Sequence, residues 1–366
     1  MEILIVVIIN DMVQLYELPL WRSATVISGT VGLMLGGPIG AALTDSLGFR
    51  PTFALECLGM IVTLIAIYCT LRLPQKQSEP SESTAKRLEV VSTALLLITV
   101  AAPLFALNLG GEIFAWSDPV VVILFCMTPA LFALFYLADT YHAVTPIVPK
   151  RFIQDRNIAI ALACALPMKF SFDQLRFSLG TYLEARSFGH RSIFSDWALT
   201  FIYFGRLLGT IIGGILVRRY RKFKFFLQID IVLDILVYLA FFLGWIHPET
   251  PSAAPVLGFI GATEGFAESL WLVAVLSLVS SEDQPLLYAF FGLSLALSGD
   301  LGIEISLAAE GTLVRYQLNN KLRGYPNSGE IIRKSLENLD YLRELPDKIQ
   351  AIILQALISS TEVAFG

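Results

Sequence analysis

Charged side chains occur inside several long apolar stretches of this sequence, where ionisable groups are costly. At the centre of a membrane each costs at least about 2.5–3.5 kcal/mol on insertion scales, so it normally faces protein or water and marks a pathway. These residues are Lys169, Asp173, Arg176, Arg206, Asp230, Asp234, Glu264, Glu268, Asp300 and Glu304. Spacings of three, four and seven place several of them on a common face of a helix.

Two chemistries are open for these residues. A proton and a cationic substrate can exclude one another at one carboxylate pair, and this exclusion gives antiport. Alternatively, acids and bases only satisfy one another: Lys169 with Asp173, and Arg176 or Arg206 with an acid of a later apolar segment. Asp300 and Glu304 are the leading candidates for proton coupling, because their segment is rich in Gly and Ser and can approach its neighbours closely. Glu264 and Glu268 come next.

The segments that must position these side chains are membrane spans. The chain has 55% hydrophobic and 16% charged residues, with a mean hydropathy of +0.67, whereas soluble domains carry about 25% charged residues. We therefore predict an all-α polytopic membrane protein with about nine complete spans. The predicted spans are Ala24–Leu43, Pro51–Leu71, Leu88–Leu107, Pro119–Ala138, Ile158–Leu179, Phe194–Val217, Phe225–Trp245, Pro255–Val279 and Leu286–Leu307.

Two of these spans carry glycine at every fourth position, which places the glycines on one helix face. The first set is Gly32, Gly36 and Gly40, with Gly37 and Pro38 beside it, and the second set is Gly205, Gly209 and Gly213. Small residues let helix backbones approach closely in a membrane. Both faces are therefore predicted to pack against other helices.

The stretch GGPIGAAL, preceded by NDMVQL and followed by DSLGFRPTF, resembles an antiporter motif. The motif belongs to the fungal fourteen-spanner drug:proton antiporter branch of the major facilitator superfamily, a branch that includes vacuolar basic amino acid transporters. Ala41 and Leu33 stand where that family usually has glycine. The stretches NLGGEIFAWSDP (108–119) and TPIVPKRFI (145–153) resemble two further elements of the same branch, in the same order.

The resemblance implies a helical bundle of two pseudo-symmetric halves, and it implies that this chain is truncated at its N-terminus. On the family's count, residues 1–74 are a remnant of the N-terminal half, with the end of span 4 and spans 5–6. Residues 75–87 are a cytosolic linker, 88–139 are two extra linking spans (7–8), and 140–157 are a cytosolic loop. Residues 158–366 are the C-terminal half, with spans 9–13, an outer loop at 310–348 and the start of span 14. The two glycine faces, on spans 5 and 10, are expected to meet.

The loops indicate the orientation of the spans. If Arg22 is cytosolic, thirteen Lys and Arg residues fall on the cytosolic side and three fall outside, namely Arg50, Arg186 and Arg191. Because positive charge favours the cytosolic side, this asymmetry supports the orientation. The amphipathic stretch 329–345 is then non-cytosolic and is predicted to be a helix on the membrane surface or over the translocation mouth.

The function implied by the resemblance is a proton-coupled antiporter that moves small molecules by alternating access, in drug or toxin efflux or in basic amino acid transport. The alternative is a truncated, non-transporting membrane fragment of such a transporter. An enzyme is disfavoured, since HExxH, a Ser/His/Asp pattern and GxxxxGK[ST] are absent from the sequence. The four cysteines and three histidines show no metal-binding spacing.

The expected partners are the lipid bilayer and a small-molecule substrate, with a cationic substrate as one option. No cofactor is expected besides the proton gradient, and neither nucleic acid nor an obligate protein partner is indicated. The basic cluster 218–224 caps an apolar span and is read as a topology anchor. The expected location is the plasma membrane or the vacuolar membrane, as a multi-pass protein.

Overall fold

The computed structural model describes residues 18–70, 82–110, 114, 116–141, 146–186, 193–220, 223–280, 283–323, 329, 331–332, 334 and 345–365. Within these ranges nine helices are long and apolar enough to cross a membrane, and no strand occurs beyond an isolated bridge between Gly110 and Phe114. The predicted all-α polytopic fold is therefore confirmed. Residues 75–81 of the predicted linker lie outside the described residues, whereas residues 82–87 differ from the prediction and begin the helix Glu82–Leu109. Most of the predicted surface helix 329–345 also lies outside the described residues.

Eleven described α-helices follow one another along the chain. They are α1 (Leu18–Leu47), α2 (Phe49–Thr70), α3 (Glu82–Leu109), α4 (Pro119–Tyr141), α5 (Lys150–Gln154), α6 (Arg156–Arg186), α7 (Ile193–Tyr220), α8 (Phe223–Phe242), α9 (Ala254–Leu276), α10 (Gln284–Lys321) and α11 (Asp347–Phe365).

The chain divides into two compact units. The first comprises Met1–Pro80, Ser192–Phe226 and Thr250–Leu270, and the second comprises Ser81–Arg191, Leu227–Glu249 and Trp271–Gly366. The boundaries fall inside α8 and α9, so each of these helices contributes residues to both units. The division into halves that the resemblance implies stays a prediction.

In the first unit, α1 packs against α2 and α7. A single residue, Gly48, separates α1 from α2, and its φ of +88° is a conformation that only glycine adopts readily. The hydroxyl of Thr200 on α7 donates to the carbonyl of Met34 on α1 at 3.1 Å. This hydrogen bond links α7 to α1.

The closest helix contact in this unit joins α7 to α9 through the α7 glycine face. A Cβ built on Gly205 would overlap the backbone of Gly258, and one built on Gly209 would overlap the carbonyl of Ala262. The contact is reciprocal, because a Cβ on Gly261 or Gly265 of α9 would overlap the backbone of α7. Both helices therefore need glycine for this approach.

The expectation that the two glycine faces meet is wrong in this structure. A Cβ built on Gly32, Gly36 or Gly40 would meet nothing within 4 Å, although α1 and α7 pack together. The physical reason is that α9 offers the α7 glycines a complementary row of small residues at the same spacing. The α1 glycines then face open space within this unit.

In the second unit, α6 and α10 run parallel and in contact over most of their length. Near their starts, Ile158 and Ala165 of α6 share a core cluster with Leu287 and Phe291 of α10. The helices α3 and α4 pack against each other, and α3 also packs against α10. The α6–α10 pair is therefore the framework on which the other helices of this unit assemble.

Helix α10 is longer than the predicted span and continues to Lys321, so residues 310–321 form a helix and not the beginning of an outer loop. Its last turns bury Val314, Leu318 and Leu322 in a cluster with Ile349 and Ile353 of α11. Burial of these apolar side chains keeps the segment helical. The predicted start of a final span at Ile349 corresponds to α11, which packs against both α10 and α6.

A buried aspartate near the end of α4 binds the backbone of the residues that lead into α5. Asp139 is 1% exposed, and its two carboxylate oxygens accept hydrogen bonds from the backbone N–H groups of Ile147 and Val148, each at 2.9 Å. These residues lead into α5, where Arg151 pairs with Asp283 before α10 at 2.6 Å. Charge-assisted bonds to backbone N–H are strong, so Asp139 holds the connection between α4 and α6.

We predict that Gly209→Leu destabilises the protein, because its side chain would overlap the α9 backbone, which cannot move aside as a flexible side chain would. Overpacking of this kind costs about 1–3 kcal/mol or more. The midpoint of thermal unfolding in detergent, followed by the surviving monodisperse fraction, should fall clearly. Gly214→Leu on the same helix is the matched control, since nothing lies within 4 Å of its Cβ position. Equal loss in both variants would contradict the assignment of the α7–α9 contact.

We also predict that Asp139→Asn loosens the connection around α5. The amide offers one acceptor oxygen and turns a donor toward a backbone N–H, and an unsatisfied buried group costs about 1–3 kcal/mol. Limited trypsin digestion should cut faster at Lys150 or Arg151. Asp118→Asn serves for comparison, because Asp118 accepts from Val120 N–H at the start of α4 and Asn replaces Asp well at such a cap. Unchanged digestion of Asp139→Asn would refute the role given to Asp139.

Candidate functional site

In the first unit, Arg206 and Glu268 form an ion pair between α7 and α9. Glu268 Oε2 lies 2.6 Å from Arg206 Nη2 and 3.2 Å from Nε. The arginine side chain is 15% exposed and the glutamate side chain is 38% exposed. The close glycine contact brings the two helices near enough for this bond. This is the pairing of Arg206 with an acid of a later span that the sequence left open.

Around this pair, α9 carries a second acid and α7 a bridging hydroxyl. Glu264 lies one turn before Glu268 and is buried. Thr210 Oγ1 lies 2.9 Å from the carbonyl of Arg206 and 3.3 Å from that of Gly265. The first unit therefore places one base, Arg206 on α7, beside a segment of α9 that carries two acids, Glu264 and Glu268, one turn apart.

In the second unit, α6 carries the predicted group at i, i+4 and i+7. Asp173 is the centre: its Oδ2 lies 3.2 Å from Lys169 Nζ, and its Oδ1 lies 3.2 Å from Arg176 Nη2. The ammonium of Lys169 also lies 5.4 Å from the centroid of the Phe172 ring. The structure brings the three residues together as their spacing predicts, and two bases share one buried acid.

Glycines on α10 make room for this group. A Cβ on Gly299 would overlap the Asp173 carboxylate, and one on Gly302 would lie 2.5 Å from the carbonyl oxygen of Phe170. A side chain at position 302 would meet backbone, whereas one at position 299 would displace the Asp173 carboxylate, so the backbone of α10 lies directly against the charged group. A small movement between α6 and α10 would change the surroundings of Asp173.

Asp300 and Glu304 lie apart from these ion pairs. Asp300 is exposed, and Glu304 Oε2 accepts a 3.4 Å hydrogen bond from Asn108 Nδ2 on α3. Across the described ranges neither carboxylate pairs with a base. Asp230, on α8 in the second unit, is buried, whereas Asp234 is partly exposed.

Sequence reasoning missed one polar cluster, formed by Ser178 on α6 with Ser306 and Glu310 on α10. Both serine hydroxyls reach Glu310 Oε1, at 2.7 Å from Ser178 and 3.2 Å from Ser306. Glu310 was expected at the start of a loop. The signal that could have located it is the apolar spacing of Val314, Leu318 and Leu322, which extends the helical pattern past Glu310.

Comparison with characterised sequences gives related transporters. Over 98% of this chain and 68% of its own length, the multidrug resistance protein fnx1 of Schizosaccharomyces pombe is 22% identical. The vacuolar membrane amino acid uptake transporter fnx2 of the same yeast is also 22% identical, over 98% of this chain and 62% of its own length. The aspyridones efflux protein of Neocamarosporium betae is 24% identical over 85% of this chain and 56% of its own length. The chain thus spans roughly three fifths of the length of these relatives.

The sequence profile of the Major Facilitator Superfamily matches residues 1–303, which is most of the chain. The matched region includes α1 to α9 and the first part of α10, and with them the Arg206–Glu268 pair and the group around Asp173. Two of these relatives are named as an amino acid uptake transporter of the vacuolar membrane and as an efflux protein. Nine apolar helices in the described ranges agree with a multi-pass membrane protein. The chain therefore belongs to the Major Facilitator Superfamily.

Proposed function

We propose that this protein is a proton-coupled antiporter that moves small molecules by alternating access. The observation that carries the proposal is the Arg206–Glu268 pair, which sits inside two membrane-spanning helices of a superfamily member. Removing two charges from water is costly, and well-packed apolar residues often stabilise a protein as well or better. Ionisable residues kept in such spans are by default functional.

The pair offers a simple way to couple two ions. A proton or a substrate cation bound at Glu268 competes with the guanidinium of Arg206 for the same carboxylate oxygen. The Glu268 side chain is the more exposed partner of the pair, at 38% against 15% for Arg206. Loss of the ion pair weakens one link between α7 and α9, so occupancy of the site and the packing of the two helices depend on each other.

The group around Asp173 can respond in the same way. Lys169 and Arg176 hold the carboxylate from both sides, and protonation of Asp173 would release two bases at once. Because α10 lies against this carboxylate, releasing the two bases would change the packing between α6 and α10. Asp300, Glu304 and Glu264 remain further candidates for proton coupling in this proposal.

Two substrate classes follow from the named relatives. One characterised relative is a multidrug resistance protein and another takes up amino acids at the vacuolar membrane. Drug or toxin efflux and basic amino acid transport are both compatible with acidic groups inside the spans. A cationic substrate suits either class, since it could take the place of a proton at a carboxylate.

The proposal is tested by uptake into vesicles from cells that express the chain. We expect a proton gradient to drive accumulation of radiolabelled lysine or of a cationic dye, and Asp300→Asn or Glu304→Gln to reduce it if these acids carry the proton. Glu56→Gln on α2 is the control, because Glu56 is exposed and far along the chain from the charged groups. Accumulation of neither probe, in this chain and in a version extended with further N-terminal spans, would overturn antiport.

A double substitution separates a functional ion pair from a structural one. Arg206→Gln and Glu268→Gln should each abolish gradient-driven accumulation, because each removes one of the two charges whose pairing the proposal uses. The double variant Arg206→Leu/Glu268→Leu removes both charges and should fold, as judged by thermal unfolding, yet remain inactive. Recovery of transport in the double variant would show that the pair serves stability alone.

A further inference from the structure

Glu310 is held between α6 and α10 by two hydroxyl groups. Its side chain belongs to a residue that is 7% exposed, and Ser178 and Ser306 are 0% and 3% exposed. The two serine oxygens lie 2.8 Å apart, and each lies within hydrogen-bond distance of Glu310 Oε1. The three side chains therefore form a closed polar triangle inside the second unit.

The two carboxyl oxygens of Glu310 differ in their hydrogen bonds, which bears on where the side chain can carry a proton. Both hydroxyls contact the same oxygen, Oε1, whereas Oε2 accepts no hydrogen bond from any described residue. An ionised carboxylate removed from water requires an opposite charge or several donors. Burial of the side chain disfavours the ionised form, whereas the two serine hydroxyls can donate to Oε1 in either form of the acid. The triangle can therefore hold Glu310 with or without a proton on Oε2.

The surrounding charges do not neutralise Glu310. The nearest charged residues along the packed helices are Arg176 and Glu184 on α6, Glu304 and Arg315 on α10, and Glu362 on α11, whose side chain lies outside the described residues. Helix α3 has no charged residue after Glu89. Within the described structure the hydrogen bonds of Glu310 reach only the two serines. Asp173, by contrast, is paired with two bases.

The position of the triangle along α6 and α10 assigns it to one side of the membrane. Ser178 and Glu310 lie toward the C-terminal ends of two parallel helices, whose N-terminal ends follow Arg151 and Asp283. The distribution of Lys and Arg predicts that the N-terminal ends are cytosolic. The triangle then lies toward the non-cytosolic side, which is the side that supplies protons to an antiporter of either proposed class.

We propose that Glu310, bridged to Ser178 and Ser306, is a proton-binding site open to the non-cytosolic side. Uptake forms an O–H bond at Oε2, and release returns the same proton to water once α6 and α10 separate enough to expose the carboxylate. The proposal rests on the proposed proton coupling and names the group that carries the proton. No other ligand is required at the triangle.

Infrared difference spectra between alkaline and acidic pH test the site directly, on the purified full chain in lipid vesicles. We expect a C=O stretching band of a protonated carboxylic acid that is lost in Glu310→Gln. In Ser178→Ala the band should move to higher frequency, because a hydrogen bond to the carbonyl oxygen lowers the stretch. Glu184→Gln, on an exposed position of α6, should leave the band unchanged. A band of full intensity in Glu310→Gln would overturn the proposal.

If Glu310→Gln does not fold, Ser178→Ala and Ser306→Ala decide the question. Both variants keep the carboxylic acid and delete one hydroxyl each, so the band must move in at least one of them. A band that is identical in wild type and in both serine variants would show that the titrating acid lies elsewhere. These spectra need no transport, so they stand even if no substrate is found.

Transport measurements then distinguish an error in the assignment of this proton site from an error in the proposed function. In Glu310→Gln we expect loss of proton-driven accumulation to the level of empty vesicles, with substrate counterflow at equal pH retained. Proton-driven accumulation at the wild-type level in Glu310→Gln would overturn the proton site while leaving antiport intact. Wild-type counterflow that never responds to a proton gradient would instead overturn the proposed proton coupling.

Discussion

Close backbone approach at glycine is the constraint on which the charged groups of this protein depend. A salt bridge between two spans forms only where the helices come near enough for their side chains to meet, and ordinary side chains keep helix axes about 8–10 Å apart. On α7 and α9 the glycines are reciprocal, and Arg206 reaches Glu268 across this contact. On α10, Gly299 leaves the space that the carboxylate of Asp173 occupies. Replacing glycine would displace charge as well as backbone.

The two units use this constraint differently. In the first unit the charged pair lies between helices, so each partner comes from a different part of the chain. In the second unit Lys169, Asp173 and Arg176 lie on one helix, and the neighbouring helix contributes only its backbone. An ion pair between two helices lengthens when the helices separate. A charged group on one helix keeps its own pairing, and movement of the neighbouring helix changes how far the group is exposed. A transporter that alternates between states can use both kinds of response.

Local geometry explains which features the sequence could predict. The spans were predictable because apolar length alone decides them, and the Asp173 group was predictable because its spacing fixes one helix face. The partner of the Gly205–Gly213 face was predicted wrongly, since it depends on which distant helix carries a matching row of small residues. Glu310 was missed because α11, more than 30 residues later in the chain, keeps that part of α10 helical. Whether the charged residues act in transport stays a prediction.

The length of α10 gives it the geometry of a rigid lever. Its 38 residues extend about 57 Å at 1.5 Å per residue, whereas the hydrocarbon core of a bilayer is about 30 Å thick. Even when tilted, the helix projects beyond the lipid chains, and its end at Lys321 is supported by α11 in place of lipid. From Gly302, where α6 touches its backbone, Lys321 is about 28 Å away, so a rotation of about 10° would move that end by about 5 Å. A small rotation about the glycine contact is thereby converted into a movement of several ångströms at the far end of α10.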